Sequence, residues 1–405
     1  MKTTKLLILT SLISLNTVFA QQRDSRAPEA TPVQIEATVD YLGNFFWSIP
    51  ILEKAFINTK PADRKDEIIV GELGIDGGNK AMILKLAQEI ADTLHGKFDS
   101  FLISHKGKLI FESYYARGRV NLPHHQASAT KSYTSFLLGR AIQLGYLSMA
   151  DLDKPLVSFL KDLDPTKFVA GAEKITLHNA LTMSSGIRIS EEQREELNKN
   201  PNQLKGQGRV QALLEHSTPI TEESQSFKYG IGPGLIMQVI DAIVPGGAID
   251  FIKNEFLNKL GINTYGWHIN EVTGMPESGW KVSMTSRAMT KLGQLVINKG
   301  IWNGEQLVPA VYITKAINRI VRHSDDENFS DNGSISNTGY GYFWWQADMK
   351  YGNNNYFSTS ARGGGGQFII LIEELDLVVV TTAHNNRDNS ILQIIADRIL
   401  PAFIK

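Results

Sequence analysis

A serine and a lysine lie three residues apart in the stretch HHQASATKSYTSFLLGRAIQLG, which runs from residue 124 to residue 145. This spacing places Ser128 and Lys131 on the same face of a helix. Burial lowers the pKa of a lysine, and a neutral amine can then take the proton of a serine hydroxyl. The pair is therefore a candidate nucleophile with its base. The alternative is a helix-capping serine followed by a lysine that extends to solvent.

The residues around the pair favour chemistry. The only long polar residues in the segment 133–144 are Arg140 and Gln143, so the predicted helix is apolar on nearly all sides and should be buried. The start of such a helix leaves N–H groups available to stabilise an oxyanion. A second Ser-x-x-Lys string, Ser158 with Lys161, lies among charged residues and is expected on the surface.

Strand patterns occur towards both ends of the chain, and helical patterns fill the middle. Two apolar runs around Lys106 and Gly107 predict a β-hairpin over 98–116. Two β-branched runs separated by acidic residues predict a pair of strands over 367–384. The simplest arrangement is an α+β fold in which both ends of the chain form one antiparallel sheet, flanked by terminal helices, with a mainly helical insert. We expect the site in the crevice between sheet and insert.

Helical spacing predicts helices over 81–96, 284–300 and 389–404. In the first of these, one apolar stripe contains Ile83, Leu86, Ile90 and Leu94. The domain organisation that we predict is a signal peptide (1–20), an N-terminal extension (21–65) and a main domain that contains Ser128 and Lys131 (66–405). The α/β part of this domain covers 66–125 and 265–405, and its helical part covers 126–264.

The first 20 residues have the pattern of a secretory signal. Lys2 and Lys5 precede an apolar run, and Val18-Phe19-Ala20 forms a small-residue cleavage site. The run is too short to favour a membrane anchor. We therefore expect a periplasmic or secreted protein with no stable membrane span after signal removal. The chain of 405 residues contains no cysteine, which excludes disulfides, thiol catalysis and a lipid anchor at the cut.

Several motifs occur together, in order, from about residue 66 to the C-terminus: LIFESYYARGR, SATKSYTSFLLGRAIQLGYLSMADLDKPLVSFL, ITLHNALTMSSGI, YGYFWW and GGGGQFIILIEELDLVVV. With these motifs the chain resembles the serine hydrolases related to class C β-lactamases and DD-peptidases, and above all their 6-aminohexanoate-dimer-hydrolase-like and esterase-like members. The resemblance implies a penicillin-recognising-enzyme fold and an acyl-enzyme mechanism. It assigns Ser128 as the nucleophile and Lys131 as its partner.

The second motif of that family is Tyr-x-Asn, and the matching stretch here is FKYGIGPG. Tyr229 takes the place of the tyrosine, which implies a proton relay to the leaving group. The alternative for Tyr229 is an aromatic packing residue before a Gly-Pro turn. The place of the asparagine holds Ile231, which argues against β-lactam turnover.

The third family motif, Lys/His-Thr/Ser-Gly, is absent as a string. Either Ser358-Thr359-Ser360 or Ala361-Arg362-Gly363 stands in its place within FSTSARGGGGQF. The candidates for oxyanion and substrate binding are Ser360, Ala361, Arg362 and Gly363. The glycines at 363–366 allow a strand edge to approach the substrate and present a backbone N–H. Arg362 is one candidate to replace the missing positive charge.

Other strings do not predict sites. SDN at 330–332 lies in a polar loop, far after the position of that motif in class A β-lactamases. His124 and His125 are adjacent, and the other histidines are scattered without metal-ligand spacing, so packing or capping is expected. We expect no metal and no cofactor. The aromatic residues in 340–345 either line the site or pack the core.

These observations predict an exported serine hydrolase that cleaves an ester or amide bond through acyl-Ser128. The alternative is a β-lactamase or a DD-peptidase acting on cell-wall peptides. A second alternative is a non-catalytic, penicillin-binding-like protein. The expected partner is a small-molecule ester, amide or peptide substrate. A net charge of −1 and the lack of a basic block argue against nucleic acid.

Overall fold

The computed structural model describes residues 26–40, 45–322, 331–384 and 388–404. The predicted signal peptide, 1–20, lies outside these ranges, and so does Ser330 of the SDN string.

The strands and helices of the described ranges follow the alternation of patterns that the sequence predicts. The strands are β1 (Phe56–Asn58), β2 (Phe98–His105), β3 (Lys108–Tyr114), β4 (His124–His125), β5 (Tyr265–Trp267), β6 (Val282–Met284), β7 (Ile301–Trp302), β8 (Glu305–Gln306), β9 (Ile335–Tyr340), β10 (Trp345–Tyr351), β11 (Asn354–Gly363), β12 (Gln367–Ile372) and β13 (Leu377–Ala383). The α-helices are α1 (Pro32–Val39), α2 (Phe45–Ser48), α3 (Lys80–Ala91), α4 (Thr130–Gln143), α5 (Leu177–Leu181), α6 (Glu191–Lys199), α7 (Gly208–His216), α8 (Gly232–Ile243), α9 (Gly247–Phe251), α10 (Ser286–Ile297), α11 (Ala310–Ile317), α12 (Asp388–Ile394) and α13 (Leu400–Phe403).

One antiparallel sheet of eight strands forms the centre of the fold, in the order β1-β3-β2-β13-β12-β11-β10-β9. The hairpin β2–β3 comes from the N-terminal part and pairs with β13 from the C-terminal part, with Phe98 opposite Ala383. This arrangement confirms the predicted α+β fold, in which both ends of the chain supply the sheet. The predicted hairpin and the predicted pair of strands over 367–384 are also confirmed.

Both faces of the sheet are covered, because its central strands are apolar on both sides. On one face α10 packs against β2, β12 and β13, and the core continues into α4 and α8. On the other face lie α3 and the C-terminal helical segment, which includes a π-helical stretch, Ile395–Ile399, between α12 and α13. Along the chain, all the elements between strands β4 and β5, from Ala127 to Leu260, are helical.

Two helix predictions need correction. Helix α3 ends at Ala91 and is capped at Asp92, three residues earlier than the apolar stripe would require. Ile83, Leu86 and Ile90 are buried as predicted, whereas Leu94 is 71% exposed. The helix predicted over 284–300 is α10, but Met284 belongs to strand β6 because it pairs with β4 and β5.

The described part of the predicted N-terminal extension contributes to the main fold. Strand β1 pairs with β3 and forms one edge of the large sheet. The backbone N–H of Ala30 donates to Asn121 Oδ1 at 2.7 Å, which attaches the segment before α1 to the loop between β3 and β4.

No single helix in the described ranges is long and apolar enough to cross a membrane. One bent pair, Gly232–Ile243 with Gly247–Leu260, meets the length and composition criteria, with 89° between its halves.

Candidate active site

The hydroxyl of Ser128 and the amine of Lys131 are in hydrogen-bonding contact. Lys131 Nζ lies 2.8 Å from Ser128 Oγ and 3.0 Å from the carbonyl oxygen of Gly279. Lys131 is 7% exposed, and burial lowers its pKa to about 8. Since the Gly279 carbonyl only accepts, it takes one N–H of the amine. In the neutral amine the lone pair is then available to the Ser128 hydroxyl.

Helix α4 holds the lysine in this position. Every residue from Thr130 to Ile142 is buried, as the sequence predicts. The helix begins after a short 3-10 turn, Ala127–Ala129, and neither element has a side-chain cap. The structure therefore contradicts the alternative in which Ser128 caps the helix and Lys131 extends to solvent.

The turn before Ser128 is fixed on several sides. Ala127 has a φ of +46°, an unusual conformation for alanine that residues on either side must maintain. Gln126 is fully buried, and its N–H donates to the Val282 carbonyl at 2.7 Å. Its side chain donates to the His124 carbonyl at 2.7 Å and accepts from the Tyr133 hydroxyl at 2.6 Å.

Tyr229 is next to the Ser-Lys pair. Its ring centroid lies 4.7 Å from Lys131 Nζ. Trp345 and Tyr340 pack against the ring, with centroids 5.5 Å and 6.0 Å from that of Tyr229. Tyr229 lies in the turn that leads into α8, where Ile231 is the residue before the first helical position.

The aromatic segment 340–345 serves both roles that the sequence left open. Tyr340 and Trp345 border Tyr229, whereas Trp344 packs edge-on against Phe136 in the core, with 5.5 Å between the centroids. Between them, the carbonyl of Phe343 accepts from the Ser132 hydroxyl at 2.6 Å. The segment thus joins the sheet to the helix that holds Lys131.

Strand β11 ends against the turn before the nucleophile. A Cβ at Gly363 would overlap with the carbonyl oxygen of Gln126, so only glycine fits there without displacing the turn. Alternation along the strand places Ala361 on the same face as Gly363, and Ser360 and Arg362 on the opposite face. Arg362 Nε donates to Ser360 Oγ at 2.8 Å.

The guanidinium of Arg362 also lies over the ring of Trp345, 5.2 Å from its centroid. Through this contact the arginine packs against the aromatic cluster around Tyr229.

The sequence model of the Beta-lactamase family matches residues 99–402 of this chain. The chain belongs to the Beta-lactamase family.

Solved structures agree with the family fold. A candidate 6-aminohexanoate-dimer hydrolase from Bacillus anthracis superposes with a TM-score of 0.59 at 19% identity, covering 93% of this chain and 97% of that one. A class C β-lactamase gives 0.57 at 15% identity, with 80% and 96% covered. A penicillin-binding protein from Bacillus halodurans gives 0.55 at 15% identity, with 77% and 98% covered. These similarities confirm the predicted fold, and the match to the family model confirms the predicted family.

One curated relative matches over a shorter region. An uncharacterized protein of Alkalihalophilus pseudofirmus is 23% identical over 238 residues, which are 52% of this chain and 62% of the relative. The matched region therefore spans less than two thirds of that relative.

Within this Beta-lactamase family protein, the other strings lie on the surface where the structure describes them. Ser158 and Lys161 are exposed, and the Ser158 hydroxyl donates to the Pro155 carbonyl at 2.6 Å. Asp331 and Asn332 of the SDN string are exposed as well.

Sequence reasoning missed two groups that hold the Ser-Lys pair. Neither the Gly279 carbonyl nor the Gln126 side chain belongs to a family motif, and the hydrophobic periodicity of the sequence does not indicate either of them. A local signal exists only for Gln126, which directly precedes the 3-10 turn and is the one long polar residue between His125 and Lys131.

A cluster outside the Ser-Lys site unites Asp99 of β2, His124 of β4 and His384, which follows β13. Asp99 Oδ2 lies 3.2 Å from His124 Nε2 and 2.6 Å from His384 Nδ1. Burial would raise the pKa of Asp99, but the two histidines hold it at about 2. The sequence predicted only packing or capping for His124, because the three residues are far apart along the chain.

Proposed function

We propose that this protein is a serine hydrolase that cleaves an ester or amide bond through an acyl-enzyme on Ser128. The observation that carries the proposal is the 2.8 Å separation of Lys131 Nζ and Ser128 Oγ, with the pKa of Lys131 lowered to about 8 by burial. A lysine in this state is partly neutral near pH 7 and suits the role of general base. Membership of a serine hydrolase family supports the same reaction.

In the proposed reaction, Ser128 Oγ bonds to the substrate carbonyl carbon while its proton passes to Lys131 Nζ. The C–O or C–N bond of the leaving group then breaks, and a proton relayed through Tyr229 goes to that group. Water repeats the sequence on the acyl-enzyme, releasing the acid and regenerating the Ser128 hydroxyl. N–H groups near Ser128 and at the end of β11 are the proposed oxyanion donors.

The contacts of β11 support an alignment of Ala361-Arg362-Gly363 with the third family motif, because Gly363 is the position where only glycine fits. Alanine then occupies the place of the usual lysine or histidine. With Ile231 in the place of the asparagine, two groups expected to bind a β-lactam are missing. We therefore favour esters or short amides over penicillins, and a β-lactamase or DD-peptidase is the second candidate.

The test is labelling by a fluorophosphonate, followed by intact mass and by hydrolysis of p-nitrophenyl esters. Wild type should gain one adduct and turn over the ester, whereas Ser128→Ala should do neither. Ser158→Ala is the matched control, because it removes the serine of the other Ser-x-x-Lys string on the surface. Full activity in Ser128→Ala would refute the proposal. Labelling without turnover of any ester, amide or penicillin would favour the non-catalytic binding protein.

We also propose that residues 1–20 direct export and are removed. The basic start, the apolar run and the Val18-Phe19-Ala20 site support this proposal. The mass of the protein recovered from the periplasm or the medium should correspond to a chain that begins at Gln21. A protein that stays in the cytoplasm with its first 20 residues intact would contradict it.

A further inference from the structure

Three side chains from distant parts of the sequence converge beside the segment that leads to Ser128. Asp99 and His124 are buried, and the side chain of His384 is 26% exposed. One ligand atom from each, Asp99 Oδ2, His124 Nε2 and His384 Nδ1, lies within 4.8 Å of the other two. Two imidazoles and one carboxylate are a common donor set for a transition metal.

Both ring nitrogens of His124 lie within hydrogen-bonding distance of an oxygen atom. Its Nδ1 lies 3.0 Å from the carbonyl oxygen of His125, which can only accept. Its Nε2 lies 3.2 Å from Asp99 Oδ2, which also accepts, so the single proton of a neutral ring can satisfy only one of the two contacts. When the proton is on Nδ1, the electron pairs of Nε2 and Asp99 Oδ2 face each other in a buried site, and a cation between them, either a second proton on the ring or a metal ion, removes their repulsion. A metal-bound histidine usually donates its other N–H to a carboxylate, a backbone carbonyl or water, and the contact of His124 Nδ1 with the His125 carbonyl is of this kind.

We propose that Asp99 Oδ2, His124 Nε2 and His384 Nδ1 bind a divalent transition-metal cation, for which Zn²⁺ is the best match. Tetrahedral Zn²⁺ with bonds of about 2.1 Å separates its ligand atoms by about 3.4 Å. The two separations to Asp99 are 2.6 Å and 3.2 Å, so modest side-chain rotation brings them to that value. Calcium and magnesium are poorer matches because they prefer oxygen ligands.

The cluster has an access route and room for a fourth ligand. His384 and Asp99 line a cleft of about 1710 Å³ that is open to solvent and also bordered by Trp47 and Arg117. A water molecule from this cleft is the fourth ligand that we expect. The guanidinium of Arg117 lies over the Trp47 ring, 5.3 Å from its centroid, and the backbone N–H of Arg117 donates to Asp99 Oδ1 at 3.2 Å, the carboxylate oxygen that the proposed site does not use.

The proposed site is structural rather than catalytic. It joins β2 and the end of β13 to His124, whose carbonyl accepts from the Gln126 side chain in the turn before Ser128. Bound metal would therefore stabilise the folded state, since the unfolded chain keeps the three ligands apart.

The experiment uses the full chain without a polyhistidine tag, stripped with a chelator and titrated with Zn²⁺ in a calorimeter. We expect one Zn²⁺ per chain, a rise in Tm on addition of Zn²⁺, and visible d–d absorption when Co²⁺ replaces it. His384→Gln removes the most exposed ligand and should weaken binding at least tenfold and abolish the rise in Tm. His95→Gln is the matched control, because His95 is not a member of the cluster and its Nε2 lies 2.8 Å from Glu89 Oε2; this variant should bind Zn²⁺ as wild type does.

Binding of much less than one Zn²⁺ per chain, or equal binding by wild type and His384→Gln, would overturn the proposal. The cluster would then be a hydrogen-bonded ion pair with His124 doubly protonated. If His384→Gln fails to fold, the Co²⁺ spectrum of wild type decides instead: its absorption shows four- or five-coordinate metal, whereas the spectrum of the hexa-aquo ion would overturn the assignment. Neither readout depends on the proposed hydrolase activity.

Discussion

Gly363 and Gln126 approach so closely that no side chain fits between the end of β11 and the turn before Ser128. This contact fixes the distance between the sheet and the nucleophile, because Gln126 is itself held by Val282 and Tyr133. The position of Ser128 therefore depends on a residue that is remote in sequence and has no side chain.

Gly363→Ala tests this dependence. The new Cβ would displace the turn, and a shift of about 1 Å at a reacting group can cost on the order of 100-fold in rate. We expect kcat/KM for an ester to fall at least tenfold, with the circular dichroism spectrum retained. Gly364→Ala is the matched control, because Gly364 is exposed and a Cβ there meets nothing within 4 Å. Equal activity of the two variants would contradict the prediction.

The pH dependence of hydrolysis reports the state of Lys131. Its pKa is lowered by burial to about 8, and only the neutral amine can accept the Ser128 proton. Below pH 8 the lysine gains a proton, so kcat/KM should fall about tenfold per pH unit and level off above pH 8. A rate that decreases as the pH rises through 8 would show that the protonated lysine is the active form.

Lys131→Arg tests whether residue 131 acts as a base or only through its positive charge. Arginine keeps a positive charge near Ser128 but stays protonated at any pH used in an assay. We expect a loss of about 100-fold to 10,000-fold in kcat, the usual contribution of general base catalysis, without recovery at high pH. The rate of labelling by the fluorophosphonate should decrease in parallel.

Tyr229→Phe tests the proposed proton relay. The phenyl ring preserves the packing against Trp345 and Tyr340, so the change removes the hydroxyl alone. We expect kcat to fall about 100-fold or more, since proton transfer to the leaving group is impaired. Tyr340→Phe alters a neighbour in the same aromatic cluster and should retain activity within about threefold. If Tyr229→Phe behaves like this control, Tyr229 has only a packing role.

The sequence predicts those parts of the site that depend on local pattern. The buried state of α4 follows from its lack of long polar residues, and the spacing of Ser128 and Lys131 then brings the two side chains together. The end of α3 was predicted too late, because Leu94 continues the apolar spacing although the chain has already turned at Asp92. Periodicity carries no information about where a cap interrupts it.

The parts that could not be predicted depend on tertiary contacts. The Gly279 carbonyl reaches Lys131 from a loop far along the chain, and any residue type supplies a backbone carbonyl. The cluster of Asp99, His124 and His384 could not be predicted for the same reason, since strands β2 and β4 and the segment after β13 bring its members together. Motif spacing detects metal ligands only when they come from one or two neighbouring elements.

A network of ion pairs links helix α10 to strand β3 and to Asp66, and its loss should destabilise the fold. Arg287 donates to both carboxylate oxygens of Asp66, at 2.6 Å and 3.0 Å, and to Glu112 at 3.0 Å. Arg287→Met leaves the fully buried Glu112 without its cation, which should lower the free energy of unfolding by about 3–5 kcal/mol. Urea denaturation measures this change. Arg194→Met, which removes an exposed arginine paired with Glu191, should change it by about 0.5 kcal/mol or less.

The pairing of β2 with β13 also has a consequence for the order of events during synthesis. All eight residues of β2 are buried in the folded protein. One side of β2 pairs with β3, but its other side pairs with β13, which is synthesised more than 250 residues later. Until then the β2–β3 hairpin exposes an unpaired, apolar strand edge, which can associate with other chains. A nascent chain thus contains Ser128 and Lys131 long before it contains the sheet that positions them. We expect a chaperone to protect the chain from aggregation during that interval. The site should form only when strands β11, β12 and β13 have been synthesised.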